Sequence, residues 1–509
     1  MKFIKSLFSR WVIISLLILS QIAMFCYVLF IFSSQYIYVS IICEVLSLLV
    51  LIELLMNKDN PNHKIPWIII ILLVPPAGLL IYLMFGKGYV SKKYKRLYQS
   101  ATDRQNKYIT QNDDVKQQLN EKYLMQSNYI YNTSNMPILC DTTVKYFNSG
   151  EEYFSNLIED LKKAKHFIFL EYFILGKGKL LTEILNILYE KVNEGVDVRI
   201  IYDDIGSIKK VPYSFDKTLI TKGIKCIKFN KYYPFVSVVY NNRDHRKIAI
   251  IDGYIGYTGG VNIADEYVNY ECKFGYWKDN GIRLYGEGVQ NLTLMFLKTY
   301  DVYSNEKTKY EDFMPHKYHP EKFQTDGFIQ PFGDGPSPIY DNYIGENVYL
   351  NMINQATKYV YITTPYLIVD HLLMNALESA AKRGVEVKMI TPGIPDKKLI
   401  YAVTRDSYGP LIKAGVQIFE YSKGFIHAKT VVVDDEICVV GTINFDYRSL
   451  VHHFECGCFI VKNTVINDVK KDFLETLSES RIPPKKVYAS RNIIKRIFLG
   501  ILKFFAPLM

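Results

Sequence analysis

None of the eight cysteines in this 509-residue chain belongs to a C-x-x-C pair or to zinc-finger spacing. Cys26, Cys43, Cys140, Cys226, Cys272, Cys438, Cys456 and Cys458 are scattered, which argues against a disulfide framework or a metal site and for reduced thiols. Disorder is excluded too, because 49% hydrophobic and 14% aromatic residues supply ample surface for a core. Charge is missing only locally. At 22% overall it is too abundant for an all-membrane transporter, yet residues 11–32 are 22 positions without a single charge and 66–85 are another 20. Residues 36–56 form a further apolar run, interrupted by Glu44 and Glu53. About 20 apolar residues at a helical rise of about 1.5 Å cross the hydrocarbon core. The first run is too long for a signal peptide and no A-x-A-like site comes after it, so it reads as a retained anchor. Acids are absent from 86–96, where Lys87, Lys92, Lys93, Lys95 and Arg96 cluster, and the positive-inside rule places the chain beyond this cluster in the cytoplasm. Three full spans would put Lys2, Lys5 and Arg10 outside, and two would not. Pro75 and Pro76 must kink or break the third run, which leaves two or three hydrophobic segments.

Length suggests roughly three domains, and the balance of 61 basic and 51 acidic residues gives a net charge of +10. Residues 97–135 are polar and read as a linker with some helix. From about residue 140 helical and strand patterns alternate: a helix over 152–165 with Phe154, Leu157, Ile158 and Leu161 on one face, then strands over 167–174, 196–202 and 224–229. The second half replays this order. GVEVK at 384–388 matches GVDVR at 195–199, and the strand at 359–364 matches that at 167–172. Two long copies are a duplication, not a solenoid, and the alternation predicts two α/β units with mostly parallel sheets.

Each copy carries H-x-K-x4-D: His245, Lys247 and Asp252 in the first, His427, Lys429 and Asp434 in the second. A glycine and then an asparagine come after each at the same distances, Gly259 with Asn262 and Gly441 with Asn444. Two chance matches of the first motif among nine histidines have a probability on the order of 1 in 1,000. In a strand, positions i and i+2 face one way, so each half would aim an imidazole and an ammonium together. Asp252 and Asp434 fit either the catalytic set or a turn cap. Gly259 and Gly441 also fit close backbone packing, and Asn262 and Asn444 fit turns.

Two lysines and two asparagine amides suit an anion such as a phosphodiester, whose transition state spreads charge over its oxygens. One neutral imidazole can attack phosphorus while the other, protonated, gives a proton to the leaving alcohol. That division needs two histidines in opposite protonation states. No acidic cluster for Mg²⁺ and no zinc spacing accompanies them, so the chemistry reads as metal-free phosphoryl transfer through a phosphohistidine, with no cofactor.

The paired motif resembles the phospholipase D superfamily, and its surroundings resemble the bacterial cardiolipin synthases. The stretches that carry this are NRDHRKI at 242–248, GGVNIAD at 259–265, GYWKD at 275–279, GFIHAK at 424–429 and GTINFDYRS at 441–449, with Pro66, Trp67 and LIYLMFG at 80–86 in the apolar region. The resemblance covers about residues 40 to 480. It implies two duplicated phospholipase D-like α/β/α sandwich units forming one catalytic body behind N-terminal transmembrane helices. The expected parts are an anchor at 1–90, a linker at 91–139, repeats at 140–330 and 331–484, and a C-terminal basic amphipathic helix at 485–509. The implied reaction converts two phosphatidylglycerol molecules to cardiolipin and glycerol at an anionic cell membrane, with neither nucleic acid nor a protein partner. His245 would be the nucleophile and His427 the acid and later the base, with Lys247, Lys429, Asn262 and Asn444 on the phosphate. Carboxylates in such enzymes orient the histidine of the other half, which assigns Glu455 to His245 and Asp279 to His427. Asp252 and Asp434 then look structural despite their place in the motif.

Ten residues more separate Gly223 from His245 than Gly415 from His427, and they fall near Tyr232, Tyr233 and Phe235. They read as an apolar lip for acyl chains or as an ordinary insertion. Residues 485–503 lack acids, carry Lys485, Lys486, Arg491, Lys495, Arg496 and Lys503, and place Ile493, Ile494, Ile497, Phe498, Ile501, Leu502 and Phe505 largely on one helical face. This reads as an interfacial helix on anionic lipid or as a helix packed on the domain. A hydrolytic phospholipase D, a nuclease of the same superfamily and a non-catalytic membrane scaffold are the competing readings.

Overall fold

The computed structural model describes residues 10–57, 61–86, 92–232, 242–304, 306–488 and 493–505. The expected lip at Tyr233 and Phe235 lies outside these residues, as do Lys2, Lys5, Lys87 and Arg491.

Helices Arg10–Gln35 and Ile37–Met56 contain the two segments, Ser15–Phe32 and Ile37–Met56, that are long and apolar enough to cross a membrane. The third apolar run does not continue as one helix. It divides into Pro61–Leu73 and Pro75–Phe85, with Val74 at φ −136° and ψ 71° and Pro75 opening the second piece. The pieces fold back on one another. The rings of Trp67 and Tyr82 stand 5.5 Å apart, and a side chain on Gly78 would collide with the Ile70 carbonyl. In a straight helix, residues as far apart in sequence as Trp67 and Tyr82 would be roughly 20 Å apart.

The body is built on two large sheets with the same strand order. The first runs Thr142–Phe147, Gly281–Gly286, Ile255–Gly259, Lys247–Ile251, Phe167–Tyr172, Asp197–Asp203, Lys225–Phe229. The second runs Phe328–Asp334, Glu455–Val461, Ile437–Gly441, Thr430–Val433, Tyr359–Thr363, Glu386–Pro392, Gln417–Tyr421, and adds Ser480–Arg481 at its edge. The expectation of mostly parallel sheets is corrected to mixed ones. Only the last three strands of the shared order are parallel to one another, joined through helices such as Lys179–Asn193 and His371–Lys382. The strands after each histidine are linked by tight turns, as between Ile251 and Ile255, and short connections of this kind allow only antiparallel pairing.

Central strands such as Phe167–Tyr172 are buried throughout, which accounts for an apolar run without alternation. The amphipathic helix Gly150–Lys163 is capped by Ser149, whose hydroxyl accepts from the Glu152 N–H at 3.3 Å, and buries Phe154, Leu157 and Leu161. One buried cluster contains Phe169, Ile248 and Ile250 of the first sheet together with Val360, Ile362 and Val432 of the second, so the two halves share a core. Of the expected linker at 91–139, residues 92–139 are described and pack on the body. They form helices Lys92–Gln105, Asp113–Gln117 and Glu121–Ser134, and Tyr98, Ala101, Val115, Tyr123 and Ile130 are buried in that same cluster.

Candidate active site

Each histidine sits where one half meets the other. The backbone N–H of His245 donates to Phe454 O at 2.8 Å, and Phe454 N–H donates to Arg243 O at 2.8 Å. The second copy mirrors this: Gly424–Ile426 pairs in parallel with Tyr276–Lys278, and His427 N–H donates to Lys278 O at 2.7 Å. These cross-half bridges place a carboxylate beside each ring. His245 Nδ1 lies 2.8 Å from Glu455 Oε1, and His427 Nδ1 lies 2.8 Å from Asp279 Oδ2. Both histidines line one cavity of about 600 Å³ that also receives Asn262, Asn444, Tyr267 and Trp277. Phe173 meets His245 edge-on at 5.0 Å and Tyr267 meets His427 at 5.5 Å.

The lysines are placed differently from the expectation of a shared strand face. The strand begins at Lys247 in one half and at Thr430 in the other, because the histidine backbone is held by the opposite half instead of by its own sheet. Lys247 and Lys429 are buried and are not on the cavity wall. The Lys247 ammonium donates to His245 O at 2.5 Å, and that of Lys429 donates to His427 O. Their charge still reaches the site. Burial, reinforced by Lys247, His453, Lys429 and His427, holds the His245 pKa well below the usual imidazole range. Burial and Lys429 bring His427 down to about 4 against the opposing pull of Asp279. Burial also lowers the lysines, Lys247 to about 8 and Lys429 to about 7.

The two carboxylates are unequal. Burial pushes Glu455 up to about 8, although Lys247 opposes it. Burial would raise Asp279 as well, but His427 and Lys429 outweigh it and hold this carboxyl below its ordinary value. Thr442 adds a hydroxyl donor to Glu455. In the first copy that position is Gly260, where a side chain would collide with Asp279 Oδ1.

Both asparagines present amide groups to the cavity. Asn262 accepts from Ile174 N–H at 3.0 Å and donates to Tyr267 Oη at 2.7 Å, which leaves its second amide hydrogen for an incoming anion. Asn444 donates to Ser449 Oγ at 3.0 Å. Gly259 and Gly441 let neighbouring strands approach, since a side chain would meet the Asn280 or Cys456 carbonyl. Asp252 and Asp434, counted with the catalytic motif, serve the fold instead. Asp252 accepts from the N–H groups of Lys165, His166 and Phe167 at 2.8–2.9 Å. Asp434 accepts from those of Thr357, Lys358 and Tyr359 at 2.8–2.9 Å. In both copies the carboxylate ties the turn after the motif strand to the start of the neighbouring strand. His453 was not among the sequence candidates. Its signal was the repeat itself, because it precedes Glu455 by two residues as Trp277 precedes Asp279. Among the described residues, His245, His453 and Glu455 are the one trio whose ligand atoms lie within 4.8 Å of one another. The charges of Lys247 and Lys429 nearby oppose a cation there.

A duplicated mixed α/β body with a histidine from each copy facing one cavity defines a phospholipase D-like enzyme. The family model for the cardiolipin synthase, PLD-like domain matches residues 157–278 and 349–477, and the phospholipase D-nuclease N-terminal model matches 45–87. A cardiolipin synthase of Oceanobacillus iheyensis is 34% identical over 469 residues, 89% of this chain and 95% of that protein. Cardiolipin synthase 2 of Bacillus anthracis is 32% identical over 462 residues, 89% and 88% of the two chains. An uncharacterized protein of Streptococcus mutans is 40% identical over 448 residues, 87% and 96%. The crystal structure of phosphatidylserine synthase from Haemophilus influenzae shares the fold, with a TM-score of 0.56 at 15% identity over 75% of this chain and 97% of that one. The chain belongs to the cardiolipin synthase family and is an enzyme of the phosphatidyltransferase type.

Proposed function

We propose that the enzyme joins two phosphatidylglycerol molecules into cardiolipin and glycerol through a phosphatidyl-histidine. The observation that carries this reading is the crossed pair of imidazole–carboxylate contacts, His245 with Glu455 and His427 with Asp279, facing a single cavity. Each carboxylate holds Nδ1 and leaves Nε2 for chemistry. His245 Nε2 attacks phosphorus, the P–O bond to glycerol breaks, and His427 gives its proton to the departing oxygen. The terminal hydroxyl of a second phosphatidylglycerol then attacks phosphorus and breaks the P–N bond as His427 takes that hydroxyl's proton.

The unequal carboxylates support this division of roles. Ionised Asp279 sustains an imidazolium on His427, while Glu455, pushed upward by burial, accepts from Nδ1–H of a neutral His245 through an unprotonated oxygen and leaves the Nε2 lone pair for attack. A phosphodiester entering beside the two lysines supplies negative charge and raises both imidazoles from their depressed values. Lys247 and Lys429 offset the charge that gathers on the phosphoryl oxygens, and the amide groups of Asn262 and Asn444 bond them.

The catalytic body sits on the cytoplasmic face of the cell membrane, anchored by Arg10–Gln35 and Ile37–Met56, with the folded-back pair at 61–86 entering and leaving on one side. The helix Ile493–Phe505 adds a second attachment. It docks through buried Leu499, through Leu502 against Ile368 and Val403, and through Lys503 at 3.0 Å from Asp406, and leaves Ile493, Ile494, Ile497, Phe498 and Ile501 exposed. The decisive experiment supplies labelled phosphatidylglycerol with a metal chelator. Cardiolipin and free glycerol are expected in equal amounts. Phosphatidic acid as the sole product would establish hydrolysis instead.

A further inference from the structure

A third histidine stands in the site with nothing bonded to its ring. His453 comes directly after the turn Arg448–His452, and its backbone N–H donates to Arg448 O at 2.9 Å. The side chain is 9% exposed, lines the catalytic cavity, and its ring centre lies 5.6 Å from that of His245. Neither ring nitrogen has a hydrogen-bond partner, and Glu455 Oε1, at 4.0 Å from Nδ1, is too distant to serve. Buried polar groups are normally satisfied, so such a group on a cavity wall points to a partner that arrives with the ligand.

The duplication supplies an internal comparison. Trp277 holds the matching position beside His427, at 5.4 Å and 47° between rings, against 5.6 Å and 44° for His453. Its indole N–H reaches Asp279 Oδ2 at 3.4 Å. The architecture therefore asks only for a flat ring at this point. An imidazole there brings two polar atoms that the protein itself leaves unused.

Burial, with Arg448, His452, Arg243 and Lys247 around it, keeps this imidazole uncharged, so it offers one donor and one acceptor. An anionic oxygen wants donors alone, and the asparagine amides already provide them. A hydroxyl uses both. A second neutral acceptor, Asn444 Oδ1, is likewise buried on this cavity without a partner.

We propose that His453, together with Asn444 Oδ1, forms a subsite that hydrogen-bonds a hydroxyl of the polyol headgroup on the substrate phosphodiester. This rests on the phosphatidylglycerol reading above, since that headgroup carries two free hydroxyls. The test uses the full-length enzyme with two lipids of equal acyl chains, phosphatidylglycerol and phosphatidylmethanol, whose headgroup has no hydroxyl, each with the same simple primary alcohol in excess to accept the phosphatidyl group, and measures headgroup release. His453→Phe, which keeps a ring as Trp277 does, is expected to raise KM for phosphatidylglycerol about three- to tenfold and to leave phosphatidylmethanol within about twofold. His453→Asn, which keeps a donor and an acceptor, is expected to restore most of the loss. Equal losses on both lipids, or none on either, would overturn the subsite while leaving phosphatidyl transfer standing. A wild-type enzyme inert toward both lipids would sink the transfer reading and the subsite with it.

Discussion

His245 and His427 differ in what supports them, and the difference is open to measurement. Asp279 is held ionised, and its charge is the main influence opposing the depression of His427. Asp279→Asn should lower the His427 pKa further, so the protonated acid is lost at lower pH. The alkaline limb of the kcat profile should move acidward, with a loss at neutral pH on the order of 10²–10⁴-fold. Glu455, pushed up to about 8, is mostly neutral at pH 7. Glu455→Gln should cost less than about tenfold there and remove any limb near pH 8 that belongs to this carboxyl. Asp434 is lowered by the backbone amides that outweigh its burial. Its stabilisation is therefore present above the ordinary aspartate pKa and is lost as pH falls through the lower folded value. Asp434→Ala should cost about 2–4 kcal/mol at pH 7, and thermal melting should show the gap to wild type closing below about pH 4. The motif residues were legible because they occur twice at equal spacing. His453 was marked by the repeat only as the counterpart of Trp277, and that its ring has no partner was visible only in the structure.

At the scale of elements, backbone approach decides what each position tolerates. Gly260 leaves no space for a side chain against Asp279. Gly260→Ala should displace that carboxylate and lower kcat more than KM while the protein still purifies as a folded enzyme. The helix Ile493–Phe505 packs on the body through Leu499, while Ile497 and Phe498 stay exposed and are the residues that the proposed lipid contact would use. Replacing Ile497 and Phe498 with Asp should weaken binding to phosphatidylglycerol vesicles in a co-sedimentation assay and leave turnover of short-chain soluble lipid nearly unchanged. Alternation of helix and strand was legible from hydrophobic periodicity. The antiparallel half of each sheet was not, because periodicity carries no strand direction and the tight turns after Ile251 and Val433 decide it. Some helix at 92–134 was legible, but its packing was hidden by composition: the glutamines and asparagines read as a linker, while Tyr98, Tyr123 and Ile130 do the burying.

At the scale of the whole molecule, the proposed topology of two full crossings with a folded-back pair at 61–86 would place the N-terminus and the catalytic body on one side and relieve the conflict between the charge clusters. Reporter tags at the N-terminus and after residue 509 should both be protected from protease added to right-side-out cells and cleaved after lysis. The carboxylates that cross between the copies carry a further consequence. Any hinge motion that parted the copies by an ångström or two would strip both imidazoles of their supports in the same instant. On the proposed mechanism, closure of the body and assembly of both imidazole–carboxylate pairs would then be one event.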